Sequence, residues 1–305
     1  MIEIFRNPNY DFIGRRKWAY IVSIVFTLLG LVSIGVKGGL RYDIDFTGGT
    51  LIQVRFDEPP AIDKIRASLG QIGLGESVIQ QFGDPREYIL RMPLTATSPE
   101  EIGRRVQAAL SADPALGRLD IRRVEFVGPQ VGRDLQLRLV GILLYIAVRF
   151  DLKGGVAAVI AVFHDVLVCL GAISLTNREF SLPVLAALLT IIGYSVNDTI
   201  VAYDRLRENR GKLAQQKGFS FAQQMNNAVN QTLSRTVLTS LTTFFSAAVL
   251  LFFGGKTLED FAFVLFVGVI TGTYSTTYIA AAIVVDWTSY VEGRLRRAKK
   301  AVAKA

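Results

Sequence analysis

Thr190-Ile-Ile-Gly-Tyr-Ser-Val-Asn-Asp-Thr-Ile-Val-Ala-Tyr-Asp-Arg205 decides the fold, because it sets an Asn-Asp pair inside an apolar run. The run extends from Ser181 to Tyr203. That is long enough to cross a bilayer as a helix, which needs about 20 residues. An aspartate within such a helix costs roughly 2.5–3.5 kcal/mol on insertion scales. A chain keeps Asp198 there if it is paired, faces a wet cavity or carries protons. The plainer alternative is a structural hydrogen-bonding group near a helix end.

The rest of the chain fits a membrane setting. Half of its 305 residues are hydrophobic, and they fall in blocks, as in a membrane protein. Trp18 to Val36 is uncharged over 19 residues and follows Arg15-Arg16-Lys17. It is too long for the core of a signal peptide and lacks a small-residue cleavage site, so it reads as a retained anchor. Gly154–Thr176, Ser181–Tyr203, Thr236–Gly255 and Phe261–Val285 are four further spans. Both termini are basic and are expected in the cytoplasm, which requires an even number. Leu139–Val148 is the remaining apolar block and is counted as the second of six. Its ten residues reach about 15 Å as a helix, half of the roughly 30 Å hydrocarbon core. Extension back to Gly132 brings in Arg133, Asp134 and Arg138, which would have to snorkel. So short a span points to chain missing at this position.

The formal net charge of +8 could suggest nucleic acid, but its distribution argues against that. Arg41 to Asp134 holds 12 Lys/Arg against 14 Asp/Glu. The excess lies in Arg6–Lys17, Arg205–Lys217 and Arg294–Lys304, which are positive-inside signals with a smaller role at anionic lipid. The single Cys169 excludes a disulfide framework and a thiol metal site within the chain, and is expected to fill the core.

These signals divide the chain into four parts. Residues 1–36 are the cytoplasmic N-terminus and first helix, and 37–131 form a domain outside the membrane. Residues 132–290 carry helices two to six, and 291–305 are a basic cytoplasmic tail. Asp204–Arg235 is expected as a long basic inner loop, and Gly254–Asp260 as an outer turn. In the outer domain Leu51–Phe56 alternates as a strand and Ala61–Leu69 has helical spacing. Ser77–Phe82 and Tyr88–Met92 flank the turn Gly83-Asp84-Pro85. Ser98-Pro99-Glu100-Glu101 opens a helix to about Ser111 as a capping box, and Ile121–Val127 is the last strand. The order βαββαβ predicts a ferredoxin-like α+β domain. Gly48-Gly49 reads as a tight turn or bulge, since no phosphate-loop Lys-Ser/Thr follows.

Three further constellations could carry chemistry. His164 and Asp165 are the ionisable groups of the third span, and His164 is the sole histidine. A lone His suits a proton relay better than a metal site, for which too few ligands are evident. A bland interhelical hydrogen bond competes with that reading. Neighbours on a helix point about 100° apart, so at most one of the two looks squarely at a given partner helix. Arg235, Thr239, Thr242 and Ser246 share one helical face, spaced i, i+4, i+7, i+11. Such a stripe solvates a cavity or bonds a neighbouring helix, with Thr239 and Thr242, like Asn197, as supporting polar groups. Arg235 either snorkels to lipid phosphate or is a switchable partner for a buried carboxylate. Gly268, Gly272 and Thr276 permit close helix packing, within the bundle or against a partner subunit.

Together these residues resemble the SecF family, membrane subunits of the bacterial Sec protein-export machinery. Asp45-Phe-Thr-Gly-Gly-Thr50 looks like the family signature after the first span, and Gly128-Pro-Gln-Val-Gly132 like its motif before the second. His164-Asp165, Ile192 to Val201 with Asp204-Arg205, and Ser234-Arg-Thr236 are similar to its intramembrane motifs. The short second span departs from the pattern. The resemblance implies a role rather than a bond-breaking reaction, with no cofactor. It implies pairing with SecD in a twelve-helix arrangement like that of the resistance-nodulation-division exporters, of which six helices are half. It further implies association with the SecY channel complex, passage of preprotein, and use of the proton-motive force late in export across the inner membrane. On that pattern Asp198 and Arg235 are proton-relay residues, and His164 and Asp165 are relay or gating candidates. Two other classes compete. A half-transporter of small substrates is disfavoured by the small outer domain. An intramembrane aspartyl protease could pair Asp165 with Asp198, but its Gly-x-Gly-Asp signature is absent.

Overall fold

The computed structural model describes residues 8–43, 48–93, 97–127, 152–213 and 220–302, with Phe5 and Phe46. The block Leu139–Val148, the motif Gly128–Gly132 and Asp45 lie outside the described residues. Among those residues five stretches are long and apolar enough to cross a membrane; the expected second span is not among them.

The outer domain follows the sequence pattern closely. Strands β1 (Gly49–Phe56), β2 (Val78–Gln81), β3 (Glu87–Pro93) and β4 (Leu119–Val127) alternate with helices α2 (Ile62–Gln71) and α3 (Pro99–Ser111). The sheet order is β2-β3-β1-β4 and every pairing is antiparallel. This is the split βαβ arrangement of ferredoxin-like domains. Ile52, Val54 and Phe56 face inward from β1, and Tyr88, Leu90 and Met92 from β3, against Ile65, Leu69, Ile102 and Val106 of the helices. Gly48, at φ 75°, turns the chain into β1. Ser98 Oγ accepts from Glu101 N at 3.3 Å with Pro99 in the first turn.

The apolar blocks become helices α1 (Arg16–Val36), α4 (Leu152–Leu175), α5 (Leu182–Leu213), α6 (Phe221–Phe253) and α7 (Lys256–Ser275). A π-helical turn, Thr276–Ala280, joins α7 to α8 (Ala281–Val302). The stretch expected as a tail from residue 291 is therefore helical to Val302. Helix α7 packs against α4, α5 and α6, and α1 lies on α4. Small residues set these crossings. A Cβ on Gly30 would stand 2.6 Å from Gly171 Cα, and one on Gly268 would stand 2.5 Å from Ile191 Cγ1. Cys169 is buried among Ile173, Val184 and Leu188.

Two expectations are corrected. Asp204–Arg235 is no loop, since its described residues continue α5 to Leu213 and open α6 at Phe221. Its polar side chains are good helix formers, and Ser220 and Gln223 close a reciprocal capping box. The expected outer turn shrinks to Gly254-Gly255, with Gly255 at φ 74° before α7 begins. Asn226 and Asn230 of α6 clamp the Tyr10 backbone. Tyr10 N donates to Asn230 Oδ1 at 2.8 Å, and Asn226 Nδ2 donates to Tyr10 O at 2.9 Å.

Candidate functional site: two buried carboxylates

Asp165 on α4 is 1% exposed, and three donors serve its two oxygens. Ser195 Oγ from α5 and Ser275 Oγ from the end of α7 each donate to Oδ2 at 2.7 Å. His164 Nδ1 lies 3.1 Å from Oδ1. Although His164 and Asp165 project along different directions of α4, the two side chains meet. Asp165 reaches α5 and α7 through hydrogen bonds, whereas the His164 ring lies beside Tyr274 of α7, with centroids 6.4 Å apart. Gly272 lies against this group: a Cβ there would make ordinary contacts, 3.8 Å from Asp165 Oδ2 and 3.4 Å from Ser195 Cβ. The network continues through Thr199 and Thr276, whose hydroxyls are 3.2 Å apart. Thr276 opens the π-helical turn, a feature that frequently marks functional positions in helices.

Asp198 is also buried, at 3% exposure, but its Oδ2 has no hydrogen-bond partner among the described residues. A buried unpaired acceptor costs about 1–3 kcal/mol. The register of α5 against α6 is fixed by two contacts. Tyr194 OH donates to Ser240 Oγ at 3.0 Å, and Arg205 Nε donates to Gln231 Oε1 at 2.6 Å. Interpolation between them puts Asp198 level with Thr236, one residue from Arg235. The Arg235 side chain is exposed.

Asn197, one residue and about 100° round the helix from Asp198, is exposed. Thr239, Thr242 and Ser246 are exposed as well, and their hydroxyls donate to carbonyls of their own helix at Arg235, Leu238 and Thr242. Leu241, Phe245, Val249 and Phe252 lie exposed beside them. Among the described residues the stripe thus forms an uncovered face. Gly268 and Gly272 instead face α5 within the bundle. Sequence reasoning missed Ser195 and Ser275 as partners of Asp165; small hydroxyls within apolar spans were the available signal. Among the described residues no group of three or more metal ligands gathers.

A family model described as protein export membrane protein SecD/SecF, C-terminal, matches residues 109–290, and the SecD/SecF GG motif matches residues 32–60. A protein translocase subunit SecF of Calditerrivibrio nitroreducens is 42% identical over 293 residues, covering 93% of this chain and 96% of the relative. The chain belongs to the SecF family of protein translocase subunits. The SecF of Desulfurispirillum indicum is 44% identical over 298 residues, covering 94% of each chain. The crystal structure of SecDF from Thermus thermophilus, titled a translocon-associated membrane protein, superposes with a TM-score of 0.76 at 38% identity. It covers 93% of this chain, whereas this chain spans 39% of that longer one. A SecDF structure in a super-membrane-facing form gives a TM-score of 0.67 at 39% identity, covering 99% of this chain and 41% of the other.

Proposed function

We propose that this SecF chain couples the proton-motive force to a late stage of preprotein export, with Asp198 as the group that takes up and releases the proton. The observation that carries this reading is the buried, unpartnered Asp198 Oδ2 at the level of Arg235. Such a carboxylate gains a partner when it is protonated or when Arg235 swings in, so it has two stable arrangements. Approach of the positive charge favours proton release, and its withdrawal favours uptake. One charge crossing 100 mV is worth about 2.3 kcal/mol, which biases a two-state arrangement roughly 50-fold.

The exposed face of α6 is where SecD would seat, completing a twelve-helix bundle to which this chain gives six. His164 and Asp165 serve as the gate that holds α4, α5 and α7 together. SecY, translocating preprotein and membrane lipid are the further partners, and the bacterial inner membrane is the location. In that membrane residues 37–131 face the periplasm and both termini the cytoplasm.

The test is gradient-stimulated export by vesicles carrying the chain with SecD. Asp198→Asn keeps the shape and removes the titration, so stimulation should vanish while SecD stays bound. Undiminished stimulation that still responds to an uncoupler would refute the reading. The orientation has its own check. Ala67 on α2 is exposed and serves as the labelling site. In a Cys169→Ser background, Ala67→Cys should react with an impermeant thiol reagent in intact spheroplasts; labelling only after lysis would reverse the topology.

A further inference from the structure

The helices that carry Asp165 and Asp198 share one hairpin turn, residues 176–181, at the outer end of the bundle. That turn is bonded on three sides. Lys37 Nζ, at the end of α1, donates to Asn177 Oδ1 at 2.6 Å and also to the Ser174 carbonyl. Arg178 reaches the start of α7, pairing with Asp260 and with Glu259 at 2.9 Å, and its guanidinium lies 4.4 Å over the Phe263 ring. The third side meets the segment leading into the outer domain. Phe180 N donates to Arg41 O at 2.7 Å, and Asp43 N donates to Phe180 O at 3.1 Å. The rings of Tyr42 and Phe46 pack on Phe180, with centroids 5.8 and 5.1 Å away.

Asp43 is 2% exposed and holds Arg91 Nη1 in an ion pair. Arg91 stands in the middle of β3, opposite Leu51 of β1 and Val78 of β2. Its neighbours Leu90 and Met92 point into the core, so Arg91 projects from the other face of the sheet. A cavity of about 330 Å³ opens beside the pair, bounded by the sheet edge at Gln80 and by the turn at Asn177 and Arg178. That space leaves the turn and the sheet room to shift against each other.

We propose that the Asp43–Arg91 pair is a clasp that transmits the state of the α4–α5 hairpin to the outer domain, making Asp43 and Arg91 positioning residues for gradient-driven export. The proposal rests on the proton-coupled reading above. The chain of contacts runs from the carboxylate helices to Phe180, from Phe180 to Asp43, and from Asp43 through Arg91 to the sheet. The first link is the turn itself, the second a backbone hydrogen bond and the third an ion pair with the buried Asp43. Loss of a charge-assisted contact of this class moves a two-position equilibrium roughly tenfold or more.

The experiment uses the chain assembled with SecD in vesicles, in a Cys169→Ser background. Spin labels are placed at the exposed Ala67 on the domain and the exposed Val36 at the end of α1. The wild type should give one narrow distance distribution. Asp43→Asn and Arg91→Gln should each broaden it and cut gradient-stimulated export by about tenfold, with gradient-independent export and SecD binding unchanged. The double variant should be no worse than either single one. Arg91→Gln, at a side chain on the open face of the sheet, keeps the test valid should Asp43→Asn not assemble. Wild-type distances, undiminished stimulation, or additive losses would each overturn the clasp. Asp198→Asn is run in parallel. If that variant retains stimulation the proton reading fails, whereas the clasp is still judged by the Asp43 and Arg91 variants.

Discussion

Asp165 and Asp198 stand on adjacent antiparallel helices, both almost fully buried, and they are held in opposite ways. Asp165 is surrounded by donors from three helices. Among the described residues Asp198 keeps one oxygen with no partner, and Arg235 is exposed. A satisfied buried carboxylate is a structural joint, because moving it leaves several donors stranded. An unsatisfied one is strained in place and gains from any change that supplies a proton or a charge. The two acids are thus held in ways that fit the proposed tasks of gate and carrier, although both are aspartates in apolar helices.

The comparison breaks most readily at Asp165. Asp165→Ala leaves Ser195, Ser275 and His164 without their acceptor, and a broken buried network of this kind costs about 3–5 kcal/mol. Asp198→Ala strands no bonded donor at Oδ2 and removes the unpaired acceptor, a gain that the cavity left behind offsets, so it should cost less than about 1 kcal/mol. Thermal unfolding of the two purified variants with SecD tests the difference. Equal losses would mean that the carboxylates are held alike.

A finer test removes one donor at a time. Ser195→Ala and Ser275→Ala should each cost about 1.5–3 kcal/mol, the range for hydrogen bonds to a charged group. Their combined effect should depart from the sum, since they share Oδ2. Additive, small effects in the same melting assay would show that neither hydroxyl supports the acid.

The smallest effect lies at the rim. Burial pushes the Glu179 carboxyl above its ordinary value; Asp43 and Asp260 add to this and Arg41 and Arg91 oppose it. The folded chain therefore holds this proton more tightly than the unfolded one. The resulting stability is complete below the unfolded value and is lost as pH rises through the raised folded value. Glu179→Gln should match the wild type at about pH 4 and exceed it at about pH 8 by less than roughly 1 kcal/mol. A variant that loses stability on raising the pH would carry the opposite sign.

The sequence made the outer domain legible almost residue by residue. Its strands alternate, and Gly83, Pro99 and the Ser98 cap punctuate them. Asp198 was legible because a charge in an apolar run is costly wherever it points. The donors around Asp165 were not. Serines in membrane helices commonly bond carbonyls of their own turn, as Thr239 and Thr242 do here. Which serine instead crosses to another helix depends on rotations and glycine contacts that no local pattern encodes. The π-helical turn after Ser275 has no sequence signature either. The stretch from Asp204 to Arg235 was misread because polarity was taken for a loop, although the Ser220–Gln223 capping signal stood in plain view.

The central claim is that Asp198, and not Asp165, exchanges the proton. Infrared difference spectra between acidic and alkaline samples of the chain with SecD, in membranes, read protonated carboxyl groups directly through their C=O stretch. The account predicts a titrating carboxyl band that disappears in Asp198→Asn and persists in Asp165→Asn. A band that survives Asp198→Asn and is lost in Asp165→Asn would contradict it.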